Sequence, residues 1–124
     1  MRKSSLLYTG FALMLILGVA HFIAEAFYLY WIFWWLDIAM HLLAGFSGGL
    51  VLAWFFGPMS TARLMFLILI YMLVVGIAWE IFEYIYDLAQ HIDYWQDTIS
   101  DVINDEIGAA LSCVYAIWRI PKSS

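Results

Sequence analysis

Long apolar runs separated by short polar or aromatic segments make up most of the chain. A helix that spans a membrane requires about 20 mostly apolar residues, and four stretches reach that length. They cover about residues 5–27, 37–57, 62–87 and 98–118, and the last is the weakest because its first third is acidic. The pattern predicts an all-α fold, an integral membrane four-transmembrane-helix bundle that forms a single domain over residues 1–124.

Two local signals set limits to these helices. The pair Gly57-Pro58 ends the second predicted helix, because proline cannot continue a helix and disfavours helical angles in the residue before it. The segment YLYWIFWWL at 28–36 is rich in aromatic residues, which collect at the membrane–water interface. We therefore expect it to form an interfacial belt between the first two helices.

The first apolar segment also has some features of a secretory signal peptide. Basic residues precede it, and the small-residue motif AEA at 24–26 follows it. We interpret the segment as a spanning helix that is retained.

Composition supports the membrane assignment. Hydrophobic residues make up 66% of the chain and charged residues 12%, whereas soluble domains are about half apolar and a quarter charged. Seven Trp and eight Tyr indicate extensive surface that meets the lipid bilayer or other subunits. The other subunits could be further copies of this chain in a homo-oligomer. With only five basic residues, the chain gives no support to nucleic-acid binding.

The basic residues predict the orientation in the membrane. With four spans, they all fall on one side, which the positive-inside rule makes cytoplasmic: Arg2, Lys3, Arg63, Arg119 and Lys122. Both termini are then cytoplasmic, and the 28–36 and 88–96 connections face outward. A three-span chain would move Arg119 and Lys122 to the other side, which argues for the fourth span.

The acidic residues lie in the outer half of the predicted bundle, and most share helix faces with one another or with histidines. Positions three, four or seven apart lie on one helix face. This spacing predicts one polar stripe per helix: His21 and Glu25, Asp37 and His41, Glu80, Glu83 and Asp87, and Asp97, Asp101 and Asp105. His91 and Asp93 fall in the outer loop. Deeper in the predicted bundle than each stripe, the same helix faces carry small residues, which allow close helix packing. They are Gly18, Gly45, Gly48, Gly76 and Gly108.

We expect the stripes to converge on a polar cup that binds a divalent metal ion. Carboxylates in a membrane are costly and repel one another unless protons or cations are present, and no basic residue is available beside them. Carboxylate and imidazole ligands suit Zn, Mn, Fe or Ni. The predicted metal ligands are His21, Glu25, Asp37, His41, Glu80, Glu83, Asp97, Asp101 and Asp105.

Three functions are compatible with such a cup. The favoured one is a metal-dependent enzyme that acts on a lipid or cell-envelope precursor, in which Glu80 or Glu83 is a ligand or the general base. The second is a small transporter coupled to protons or metal ions. The third is a non-catalytic subunit whose metal stabilises the fold.

Three sequence blocks resemble the YjdF-like inner-membrane proteins. They are LDIAMHLLAGFSGG, WEIFEYIYD and WQDTISDVINDEIGAA, in that order over about 75 residues. The last block is more loosely similar to the VanZ-like proteins, which have asparagine where this chain has Asp105. The resemblance implies a multi-pass protein of the bacterial inner membrane and does not imply a particular reaction.

Overall fold

The structure, a computed structural model, describes residues 2–86 and 94–119. All of its regular elements are α-helices, so the all-α prediction is confirmed for this part of the chain. In order they are α1 (Arg2–Ala26), α2 (Leu29–Ile32), α3 (Leu36–Phe56), α4 (Thr61–Ile85) and α5 (Tyr94–Arg119).

Three of these helices are long and apolar enough to cross a membrane: Ser4–Ala26 within α1, α3 and α4. The fourth long helix, α5, has 26 residues, and acidic side chains lower the hydropathy of its first half. Many large apolar side chains of the bundle are exposed, including Leu15, Phe22, Val74 and Leu111. Lipid is the solvent that suits such a surface.

Helix α3 is the most buried of the three apolar helices and lies at the centre of the bundle. Gly45 of α3 lies against Asp105 of α5, and Gly49 lies against Ser112, so the two helices run in the same direction. Helix α4 runs the opposite way. Met72 approaches Gly48 of α3, whereas Gly76, one turn later in α4, approaches Asp105, which lies beside the earlier Gly45 of α3. The first turns of α3 and α5 therefore lie at the same end of the bundle as the last turns of α1 and α4, and we call this the acidic end.

Glycine allows the backbones of α3 and α5 to touch. A Cβ atom added at Gly45 would collide with the carbonyl group of Asp105, and one added at Gly108 would collide with the carbonyl oxygen of Leu42. Backbone atoms cannot move aside as a flexible side chain can. Close approach through small residues is a common way to pack helices in membranes.

Away from the acidic end, the space between the helices is filled by a small apolar core. Its buried members include Leu50 and Ala53 of α3, Ile68 and Met72 of α4, and Cys113 of α5. Helix α1 packs against α3 near Gly10, where a Cβ would meet Val51 and Ser47. Gly18 lies in open space, and it therefore does not take part in the close packing that its position on the α1 stripe predicts.

A tight connection joins α1 to α3 at the acidic end. Tyr28 has φ 57° and ψ 34°, the left-handed conformation that residues other than glycine adopt infrequently. It directly precedes the one-turn helix α2, and Phe33 then leads toward α3. The aromatic segment predicted as an interfacial belt therefore folds back over the acidic end.

Candidate metal centre

His41 lies at the centre of a group of acidic side chains. Its Nδ1 atom is 3.0 Å from Oδ1 of Asp105. On the other side of the ring, Nε2 is 3.3 Å from Oδ1 of Asp101 and 3.5 Å from Oδ1 of Asp37. Three carboxylates from two helices thus surround one imidazole, and the His41 side chain is only 11% exposed.

The arrangement follows from local sequence. Asp37 and His41 are four residues apart in the first turns of α3, so they share a face. Asp101 and Asp105 share a face of α5 in the same way, and both are buried. The contact of Gly45 with Asp105 holds these two faces together.

Oxygen and nitrogen atoms of Asp37, His41 and Asp101 lie within 4.8 Å of one another, a spacing that can hold a metal ion. Metal bonds to such ligands are about 2.0–2.2 Å long, so two ligand atoms on one ion lie roughly 3–3.5 Å apart. The distances from Nε2 to the two carboxylates fall in this range. The donor set fits a divalent cation that accepts both imidazole and carboxylate ligands.

Glu80 of α4 extends the group from the third helix. It is 3% exposed, and its Oε2 atom accepts a hydrogen bond of 3.3 Å from the hydroxyl of Thr98. Its Oε1 atom is buried and has no hydrogen-bond partner among the described residues. The carboxylate also lies beside that of Asp101. Two carboxylates have no donor to share, so a proton or a cation is required between them.

Glu83 and Asp97 lie nearer the surface of the acidic end. Glu83 is half-buried one turn after Glu80, where it accepts a hydrogen bond from Trp79. Asp97 is exposed in the first turn of α5. Both were predicted as ligands, and the structure brings neither into the Asp37–His41–Asp101 group.

Helix α1 supplies the remaining two predicted ligands, His21 and Glu25, and both are exposed. The Nδ1 atom of His21 is 2.8 Å from the hydroxyl of Tyr30 on α2, so the contact of this histidine is with a phenol. Neither belongs to the group around His41. The predicted stripe residue Asp87 and the predicted loop residues His91 and Asp93 lie outside the described residues.

Helix-face spacing does not predict three contacts at the site. Asp105 contacts the Nδ1 side of His41, away from Asp37 and Asp101. Thr98 and Tyr30 are hydrogen-bond partners of Glu80 and His21, respectively. Thr98 lies three residues before Asp101 on the same helix face, which is a signal that could have included it. Tyr30 has no such signal, because a tight turn determines its position.

Comparison with known proteins places the chain in one family. No curated protein and no solved structure matches it. One family, described as "Predicted membrane protein (DUF2238)", matches residues 2–122, which is nearly the whole chain. The match agrees with the three apolar helices and supports association with a lipid bilayer. The chain is a member of the DUF2238 family of membrane proteins.

Proposed function

We propose that the protein binds one divalent metal ion at the acidic end of the bundle and uses it in chemistry on a lipid or cell-envelope substrate. Asp37, Nε2 of His41 and Asp101 are the proposed ligands, and Glu80 is a fourth. The observation that carries the proposal is the buried, unpaired Oε1 of Glu80 beside the group that surrounds His41.

The charges of the site favour a metal ion over a proton. A proton on Nε2 of His41 would satisfy Asp37 and Asp101, but it would leave the carboxylate of Glu80 beside that of Asp101. A divalent cation neutralises more of these charges and gives an otherwise orphaned buried oxygen a partner. The contact of Asp105 with Nδ1, on the other side of the ring, is of the kind that usually orients a metal-binding histidine.

A bound divalent ion would polarise a carbonyl or phosphoryl oxygen and activate water. Glu83 is suited to the role of general base, since it is half-buried one turn from Glu80 and outside the ligand group. Hydrolysis or group transfer on a substrate with its reactive group near the membrane surface fits this arrangement. The apolar core below the site, with Leu50, Ile68 and Met72, favours chemistry at one face over transport through the bundle.

The membrane topology belongs to the same proposal. Helix α5 lies alongside α3 and α4, and we propose that it is a fourth span with both termini in the cytoplasm of a bacterial cell and the acidic end outside. The predicted position of the basic residues on the opposite side supports this orientation. Single cysteines introduced at Ser4 and Trp34 into a Cys113→Ala background test it. Labelling of intact cells by an impermeant thiol reagent is expected at position 34 and not at position 4.

Elemental analysis of protein purified without chelator tests the metal site. We expect about one equivalent of Zn, Mn, Fe or Ni in the wild type and its loss in His41→Ala and Glu80→Ala. His21→Ala is the matched control, because His21 lies outside the group, and it is expected to keep the metal. A wild type that holds no metal and binds none on addition would contradict the proposal. Loss of metal in His21→Ala equal to that in His41→Ala would contradict the ligand assignment.

A further inference from the structure

Two contacts hold one face of α4 against the acidic face of α5. Further from the acidic end, a Cβ atom added at Gly76 would lie 3.0 Å from Oδ2 of Asp105. One turn later in α4, Oε2 of Glu80 accepts a hydrogen bond of 3.3 Å from the hydroxyl of Thr98. Asp101 shares a face of α5 with Thr98 and Asp105 and lies between them in the chain. The two contacts therefore place the Glu80 carboxylate beside the candidate metal centre.

The two oxygen atoms of Glu80 have different surroundings. Oε2 is the acceptor of the Thr98 hydroxyl, whereas Oε1 is buried and has no hydrogen-bond partner among the described residues. A threonine hydroxyl has one proton, and this contact uses it. Because Glu80 is only 3% exposed, water has little access to replace that donor. The contact thus fixes the carboxylate and leaves Oε1 as the oxygen available to a cation.

The number of oxygen atoms that a carboxylate offers bears on which cation a site prefers. Ca²⁺ takes six to eight oxygen ligands, and carboxylates commonly bind it through both oxygens. Zn²⁺ is usually bound by four protein or water ligands, among which imidazole is common. Asp37, His41 and Asp101 offer one ligand atom each. A single oxygen from Glu80 completes a set of four, which is too few for Ca²⁺.

We propose that Thr98 is a positioning residue that limits Glu80 to one metal-binding oxygen and thereby gives the site its selectivity against Ca²⁺. The ions favoured are Zn²⁺ and the divalent transition metals, which accept imidazole and few ligands. Thr98 acts through Glu80, since its hydroxyl donates to the oxygen that faces away from the ion. The inference rests on the proposed metal site.

Displacement of Co²⁺ by Ca²⁺ tests this role. Purified protein is titrated with Co²⁺ while the visible absorption of the ion is followed, and Ca²⁺ is then added until half of the signal is lost. Thr98→Val replaces the hydroxyl by a methyl group of similar size, so Oε2 becomes free to bind the ion. We expect the ratio of Co²⁺ to Ca²⁺ affinity to fall about tenfold, an effect typical of changing an outer partner of a ligand. Thr98→Ser keeps the hydroxyl and should keep the wild-type ratio.

Ser100→Ala is the matched control, because it removes a hydroxyl of the same helix that accepts from Asn104 and not from the site. It should keep the wild-type ratio. Thr98→Ala adds no methyl group beside the carboxylate and should repeat the result of Thr98→Val. Equal weakening of both ions in these two variants would show that Thr98 only supports the fold, and it would overturn the inference, as would an unchanged ratio. A wild type without Co²⁺ absorption would instead overturn the metal site itself.

Discussion

Asp105 contacts His41 on the side of the ring away from Asp37 and Asp101, with Oδ1 3.0 Å from Nδ1. A carboxylate in this position fixes the ring orientation and would leave Nε2 to the proposed metal ion. Asp105 was predicted as a metal ligand, and we propose that it instead orients His41, because it lies outside the Asp37–His41–Asp101 group.

We expect Asp105→Asn to lower metal affinity about 10- to 100-fold, the usual cost of changing such an outer partner, and Asp101→Asn to lower it further. Titration of purified variants with Co²⁺ measures both. Asn104→Ala is the control, because Asn104 is bonded to Ser100 on the same helix. Equal losses in Asp105→Asn and Asp101→Asn would instead make Asp105 a direct ligand.

Glu80→Gln is expected to stabilise the metal-free protein and to weaken metal binding. Without metal, a glutamine amide can donate to Asp101 and still accept from Thr98, so two carboxylates no longer face each other. The free energy of unfolding of the metal-free protein should rise by about 1 kcal/mol. Metal affinity should fall, because a charged ligand is lost.

Thermal unfolding with and without added metal measures both effects in Glu80→Gln. The control is Glu83→Gln, the same change one turn further along α4, which should raise the metal-free protein's stability less because Glu83 is less buried than Glu80. A metal-free Glu80→Gln protein that is less stable than the wild type would show that the ionised carboxylate stabilises the fold by itself.

Gly45→Ala should disrupt the metal site without removing any ligand. The added Cβ would collide with the carbonyl group of Asp105, so α3 and α5 must separate. Overpacking of this kind costs about 1–3 kcal/mol of stability. We expect a lower unfolding temperature and weaker metal binding, measured on the same sample by thermal unfolding and elemental analysis.

Gly18→Ala is the matched control for Gly45→Ala, since it makes the same change in a spanning helix at a position in open space. It should keep both metal binding and stability, and alanine's better helix propensity favours a small gain. Metal retained in full by Gly45→Ala would contradict the close-packing explanation.

The stability of the protein should depend on Tyr30 at high pH. Burial and the carboxylates of Asp37 and Glu25 raise the pKa of Tyr30 from 10.0 to about 12 in the folded state. The unfolded chain therefore loses this proton first, and the stabilisation is full below about pH 10 and lost as pH rises to about 12. The unfolding temperature of the wild type minus that of Tyr30→Phe should decrease over this interval. A difference that stays constant through pH 12 would contradict the prediction.

The helices and the metal group were predictable to different degrees. Apolar runs predicted the three apolar helices, because length and hydropathy decide which helices can cross a lipid bilayer. Helix periodicity placed Asp37 with His41, and Asp101 with Asp105, on shared faces. Periodicity cannot tell which stripes meet. His21 and Glu25 form a stripe as regular as the others, but α1 packs against α3 near Gly10 and leaves them exposed.

The position of Tyr30 depends on the left-handed turn at Tyr28, which no hydrophobic pattern encodes. The same holds for the direct contact of Nδ1 with Asp105, because rotamers and helix rotation decide which side of a ring a neighbour meets. Sequence spacing identified the chemistry available at the acidic end. Tertiary packing decided which of these side chains contact one another.

The contact between Gly45 and Asp105 also bears on how the protein is made. Asp37 and His41 of α3 emerge from the ribosome more than fifty residues before α5 begins at Tyr94. The Asp37–His41 half of the candidate site is therefore synthesised before the Asp101–Asp105 half. Pairing of Asp101 and Asp105 with His41 then compensates part of the cost of burying these acids in the bundle. Completion of the site and packing of α5 against α3 are in this sense a single event in biogenesis.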